Sequence, residues 1–182
     1  MGKLKELKQL KQVYLQQMFP QNNEKVPRLR FAGYFDDWQK KKLVEIAPLQ
    51  RGFDLPKSEL KEGLFPVITS NGIIGYHSKY KAKAPGVITG RSGTIGNLHY
   101  IESDYWPHNT TLWVTDFKGN HPGFIYHLYS TIDLIRIGTG TGVPTLNRND
   151  VHEEILFIPC FNEQIKVSAF LTNLDNLIAL YS

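Results

Sequence analysis

The chain has 182 residues, 41% of them hydrophobic, with 21 Lys or Arg against 17 Asp or Glu and a formal charge of +4. That apolar content supports a true core, in one domain with an appendage. No run approaches the roughly eighteen apolar residues of a membrane span, and no basic, apolar leader opens the chain, so an intracellular, cytoplasmic protein without a membrane is expected. The one cysteine, Cys160, excludes an internal disulfide, and its place in ILFIPCF predicts a buried thiol.

The first element is a charged amphipathic helix over residues 1–20. Leu4, Leu7, Lys11, Tyr14 and Met18 recur at spacings of three and four, with Leu10, Val13 and Phe19 widening the stripe. A helix this short needs a partner. That partner is either its own globular body, the C-terminal helix over 161–182, or a second copy of the chain. Pro20 stops the helix, and QNNEK leads into the extended VPRLRF. Asp36 or Asp37 is placed to cap a short helix carrying Trp38, Leu43 and Ile46.

From Pro66 the texture changes to short β-prone runs, FPVITS, GIIGY, GVITG, NLHYI and TTLWVT, punctuated by glycines. PGFIYHLYSTIDLI, residues 122–135, reads as one helix with Phe124, Ile125, Leu128, Ile132 and Ile135 on its buried face. The loop IGTGTGVPTLNRND and the strand EEILFIP follow. The fold class is therefore α/β in content (α+β in arrangement), an irregular β-rich domain over 25–160 between terminal coiled-coil-like helices.

Charge is unevenly spread, with ten Lys or Arg and four acids in residues 1–42 against eleven and thirteen in the remainder. Such a field suits an anionic partner or an ordinary solvated face. GRSGTIG lacks both the GxGxxG order and the GxxxxGK[ST] lysine, and GTGTGVP matches neither. His77, His99, His108, His121, His127 and His152 form no HExxH or Cys/His cluster, so no metal is expected. No GxSxG elbow surrounds Ser70 or Ser92, and no catalytic residue is assigned.

Six segments in order, LKQLKQVYLQQMFPQ, VPRLRFAGYFDDWQKKKLVEIA, FPVITSNGIIGY, GRSGTIG, RIGTGTGVPTLNRNDV and IPCFNEQIKVSAFLTNLDNLIALYS, resemble the DNA-specificity subunit of type I restriction-modification systems. The resemblance covers nearly the whole chain. It implies a half-subunit with one target recognition domain, which reads half of a split duplex DNA sequence. It implies as partners a second copy or a second specificity fragment, a modification subunit that methylates with S-adenosylmethionine, and through it a restriction subunit. The chain itself would be non-catalytic and need no cofactor. In the same carry-over Glu163 and Gln164 match the entrance of a conserved helix. Leu171, Leu174, Asp175 and Ile178 match its core, whose implied work is packing and subunit docking, while Leu4, Leu7, Lys11, Tyr14 and Met18 form the N-terminal stripe whose partner stays open. A helical assembly protein that reads no DNA, or a small DNA-modifying enzyme, are the competing readings.

For a DNA reader the donors and acceptors suited to base edges are Ser70, Asn71, His77, Arg91, Asn109, Thr110 and Asn147. Arg91 leads, as the one strong cation in a glycine-framed turn. Lys79, Lys81, Lys83, Arg136, Thr139, Thr141 and Arg148 suit phosphates. Each competes with a role in turn capping or a solvated face. Tyr76, Tyr80, Tyr105 and Trp106 either stack on a distorted base or fill the domain edge and core.

Overall fold

Strong helix formers from Lys3 to Met18, with Pro20 barring continuation, give the helix α1 (Lys3–Met18), after which the backbone turns extended at Phe19. The computed structural model describes residues 2–140 and 142–182. Along the chain come β1 (Gln39–Lys42), α2 (Leu43–Ile46), β2 (Leu49–Arg51), β3 (Phe65–Thr69), β4 (Gly72–His77), β5 (Gly86–Gly90), β6 (Leu98–Ile101), β7 (Trp106–Pro107) and β8 (Thr111–Val114). Then follow α3 (Pro122–Ser130), α4 (Leu134–Ile137), α5 (Arg148–His152), β9 (Ile155–Ile158) and α6 (Phe161–Leu180). This is an α+β fold with irregular sheets and terminal helices.

Contacts divide the chain into two units, one of residues 1–41, 119–131 and 155–182, the other of residues 42–118 and 132–154. Aromatic packing accounts for the make-up of the first unit. Phe19, Trp38 and Phe124 meet with ring centroids 5.5 to 6.1 Å apart, which ties the segments around residues 38 and 124 to the terminal helices.

In the first unit α1 runs antiparallel to α6. Lys11 Nζ bonds the Asp175 carboxylate, and the Tyr14 ring meets Phe170 edge-on at 4.8 Å. Leu7, Leu15 and Met18 of α1 and Val167, Leu171 and Leu174 of α6 are buried, each Leu contributing about 1.5–3 kcal/mol by leaving water. Helix α3 also packs on α6, and closely, because a Cβ on Gly123 would stand 2.3 Å from Ser168 Oγ.

The entrance of α6 carries buried polar groups. Glu163, 1% exposed, accepts from Arg30 Nε at 2.8 Å and Nη2 at 2.9 Å, a bidentate pair, and from Trp38 Nε1 at 3.4 Å. Beside it Gln164 donates to Asn120 Oδ1 and the Pro159 carbonyl and accepts from the His121 N–H. With their partners supplied, these side chains satisfy the rule that buried polar groups are bonded.

The second unit holds a four-stranded antiparallel sheet ordered β2-β8-β5-β6 and a three-stranded sheet ordered β4-β3-β7. Its buried clusters are Ile68, Ala82, Ile88 and Tyr105, and Leu55, Val67 and Trp106. Gly86 is required where it stands, since a Cβ there would lie 2.4 Å from the Tyr105 ring.

Several local expectations change. The helix expected over 122–135 stops at Ser130, because Asp133 offers a new N-cap, accepting from the Arg136 N–H at 3.1 Å and starting α4. Ile135 is consequently exposed. Neither Asp36 nor Asp37 caps a helix. The intervening QKKK extends as β1, and Glu45 instead reaches back to the Lys42 N–H at 2.9 Å at the start of α2. Cys160 is exposed rather than buried, since it stands at the N-cap of α6 outside the apolar strand.

His127 is buried on α3, with Thr172 Oγ1 at 3.4 Å and Asp175 Oδ2 at 3.9 Å from its Nε2, and with Tyr126 against its ring. Burial, reinforced by the Lys11 ammonium, pushes its imidazole down to about 3. An unfolded histidine titrates near ~6.5, so the folded state holds the imidazole neutral while the unfolded chain takes up a proton. The resulting stability is complete above that unfolded value and is lost as pH falls toward the folded one. Chemical denaturation should therefore show stability falling by up to about 1.4 kcal/mol per pH unit through this window. His127→Gln should flatten the slope, and an unchanged slope would show that the ring is solvated.

Candidate nucleic-acid interface

In the second unit, β2 and β5 both run antiparallel to β8, with Arg51 opposite Leu112 and Gly90 opposite Thr111. The loops leaving β2 and β5 and the loop entering β8 therefore emerge at the same sheet edge. Arg51 and Gly90 flank β8 there, two interstrand spacings or roughly 10 Å apart.

Backbone bonds stitch this edge. The Thr110 carbonyl accepts the Arg91 N–H at 2.8 Å and the Ser92 N–H at 3.2 Å, and the Arg91 carbonyl accepts the Leu146 N–H at 2.8 Å. Thr145 bridges both Ser92 and Thr139. The β3–β4 turn joins through the Ser70 N–H, which donates to Thr110 Oγ1 at 3.3 Å, and through Thr94 Oγ1, which donates to Asn71 Oδ1 at 2.6 Å. Glycine makes the β5–β6 loop possible. A Cβ on Gly90 would lie 1.8 Å from the Thr94 carbonyl oxygen, and Gly93 sits at φ +82.

Ser70, Asn71, Arg91, Asn109, Thr110 and Thr139 thus converge on one loop end, and Asn147 follows Leu146 directly. Among the other sequence candidates, His77 and Lys79 stand at the far end of the β3–β4 hairpin. Phe65 pairs with His77 at one end of the β3–β4 hairpin and Thr69 with Gly72 at the other, four residues or about 13 Å away. Lys79 lies beside His77, its N–H donating to His77 Nδ1 at 3.0 Å. Lys81 holds its ammonium 5.3 and 5.1 Å from the Phe53 and Trp106 ring centroids. Lys83 is exposed beyond it. Arg148 opens α5, and Arg136 pairs with Glu154 at 4.0 Å. Thr141 lies outside the described residues.

Two expected base readers have structural duties. Ser70 is 3% exposed and His77 is 7% exposed, the latter stacked on Trp106 at a centroid distance of 4.8 Å. Tyr105 and Trp106 are likewise buried, whereas Tyr76 and Tyr80 are exposed. Asn147 spends its side-chain oxygen on the Asn149 N–H as the α5 cap.

Arg91 makes no ion pair among the described residues. Its one side-chain bond is from Nη1 to the Asn109 carbonyl at 3.4 Å, which leaves most of the guanidinium fork open. Thr94, Arg51 and Asp54 complete the edge together with Thr145, whose hydroxyl the sequence offers to phosphates beside Thr139. Thr94 lies within GRSGTIG, but Arg51 and Asp54 precede the first β-prone run and reach the edge only through strand pairing. Among the described residues no three His, Cys, Asp or Glu side chains gather to hold a metal, and no helix is long and apolar enough to cross a membrane.

Residues 35–182 match the family described as Type I restriction modification DNA specificity domain. The chain belongs to this family. Among solved structures, this specificity domain is similar to the type I restriction-modification S subunit from M. genitalium, with a TM-score of 0.70 and 16% identity over 81% of this chain and 41% of that one. A chain from a structure of complex assembly and conformational transition of the type I R-M system gives a TM-score of 0.74 at 14% identity, over 98% of this chain and 46% of that one. The HsdS subunit from Thermoanaerobacter tengcongensis gives 0.70 at 14% identity, over 97% and 45%. The specificity domain therefore spans less than half the length of the solved chains it matches. No match is found among curated proteins.

Proposed function

We propose that this chain acts as specificity subunit or half-subunit and reads one part of a duplex DNA target with the loop end around Arg91. It contributes no chemistry, and modification and restriction subunits act on the site it selects in the cytoplasm. The observation that carries this reading is the convergence of three loops, rich in open donors and acceptors and holding an unpaired guanidinium, in a member of a DNA-specificity family. Base edges are read by such side chains, while phosphate contacts set position.

Arg91→Ala should weaken binding to the preferred duplex and relax selectivity at one base pair by about 1–3 kcal/mol. Lys79→Ala, at the far end of the β3–β4 hairpin, should leave selectivity unchanged and at most lower the salt dependence by one phosphate contact. Titration of preferred and scrambled duplexes across a salt series separates these. Equal losses for Arg91→Ala on both duplexes would move it to the backbone class.

A second copy is the proposed partner of α1 and α6, in a coiled-coil-like seam. Leu10, Val13, Leu177 and Leu180 remain exposed on these helices, apolar side chains that a second copy would cover. The matching target is an interrupted near-palindrome. Sedimentation should show a dimer, and a monomer at high concentration would contradict the pairing.

A further inference from the structure

We infer that Asp54 is a specificity-determining residue, a fixed acceptor for the exocyclic amine of a cytosine or adenine in the duplex. The inference rests on the proposed DNA reading of the β2-β8-β5-β6 sheet edge. At that edge Arg51 Nη2 donates to Asp54 Oδ1 at 3.3 Å, and Asn109 Nδ2 donates to the same oxygen. No other bond to Asp54 exists among the described residues, so Oδ2 is open. The Asn109 carbonyl in turn accepts from Arg91 Nη1, which places the carboxylate in one chain of contacts with the leading guanidinium.

Stability does not account for this arrangement. The Asp54 and Arg51 side chains are 75% and 53% exposed, and an ion pair that open contributes little. On a surface that meets phosphates a bare carboxylate opposes binding, which makes it costly unless it reads something. Two donors clamped on one oxygen hold the group in orientation, so the second oxygen is a preorganised acceptor whose entropy of ordering is already spent. In the major groove the donors that fit an acceptor are cytosine N4 and adenine N6, whereas guanine O6 and thymine O4 present acceptors and repel it.

The test uses the full chain and a randomised duplex library, followed by titration of the preferred site and its single-base variants. Asp54→Ala should lose discrimination at one base pair by about 5- to 150-fold while other positions keep theirs. Asp54→Asn is sharper. Its Oδ1 retains the Arg51 and Asn109 donors, so an amide nitrogen replaces the open oxygen, and preference at that base should switch from an amine-bearing to a carbonyl-bearing partner. Uniformly tighter binding with a steeper salt slope would mean that Asp54 only repels phosphate, and unchanged discrimination in both variants would mean that it faces no base. Either result overturns the inference while leaving DNA reading intact, whereas an unselective wild-type chain would overturn both.

Discussion

The Thr110 carbonyl is the constraint on which the recognition edge depends. One oxygen accepts two successive amides, Arg91 and Ser92, and so fixes where the β5–β6 loop leaves the sheet. The hydroxyl of the same residue holds the Ser70 amide, which adds the β3–β4 turn. Three loops distant in sequence are thereby set by one residue at the start of β8. A loop fixed at its root by backbone bonds can vary its tip without loss of the scaffold, the condition under which side chains on loops hold a defined geometry.

The unit built on the terminal helices solves a different problem. Glu163 and Gln164 are buried at the entrance of α6, and an unpaired carboxylate there would be strongly destabilising. Arg30, Trp38, Asn120 and His121 supply the partners. Three chain segments must be in place before that entrance is satisfied, so the polar network specifies which segments meet as well as bonding them.

Much of this was legible in the sequence. Short β-prone runs between glycines located β3, β4, β5, β6 and β8, because clustered β-branched and aromatic residues and the turn residues between them are local signals. The terminal helices were visible through apolar spacing that is equally local. What failed was decided by competition between neighbours. Asp133 captured an N-cap and split the expected 122–135 helix, and QKKK extended where a capped helix was expected. At the candidate site, GRSGTIG marked a turn and singled out Arg91, yet its structural partners Thr110 and Leu146 depend on pairing between strands. Ser70 and His77 have the right chemistry for base edges, but burial is a tertiary property that residue type does not carry. Arg51 and Asp54 were invisible for the converse reason, since nothing local distinguishes them from solvated surface.

The central claim is that DNA lies on the loop end defined by Ser70–Asn71, Arg91–Asn97 and Asn109–Thr110. Hydrogen exchange of the full chain with and without its preferred duplex addresses it most directly. Amides of these three segments should gain protection on binding, while those near His77–Tyr80, at the other end of the β3–β4 hairpin, remain unchanged. Protection confined to the His77–Tyr80 end, or to α1 alone, would contradict the account.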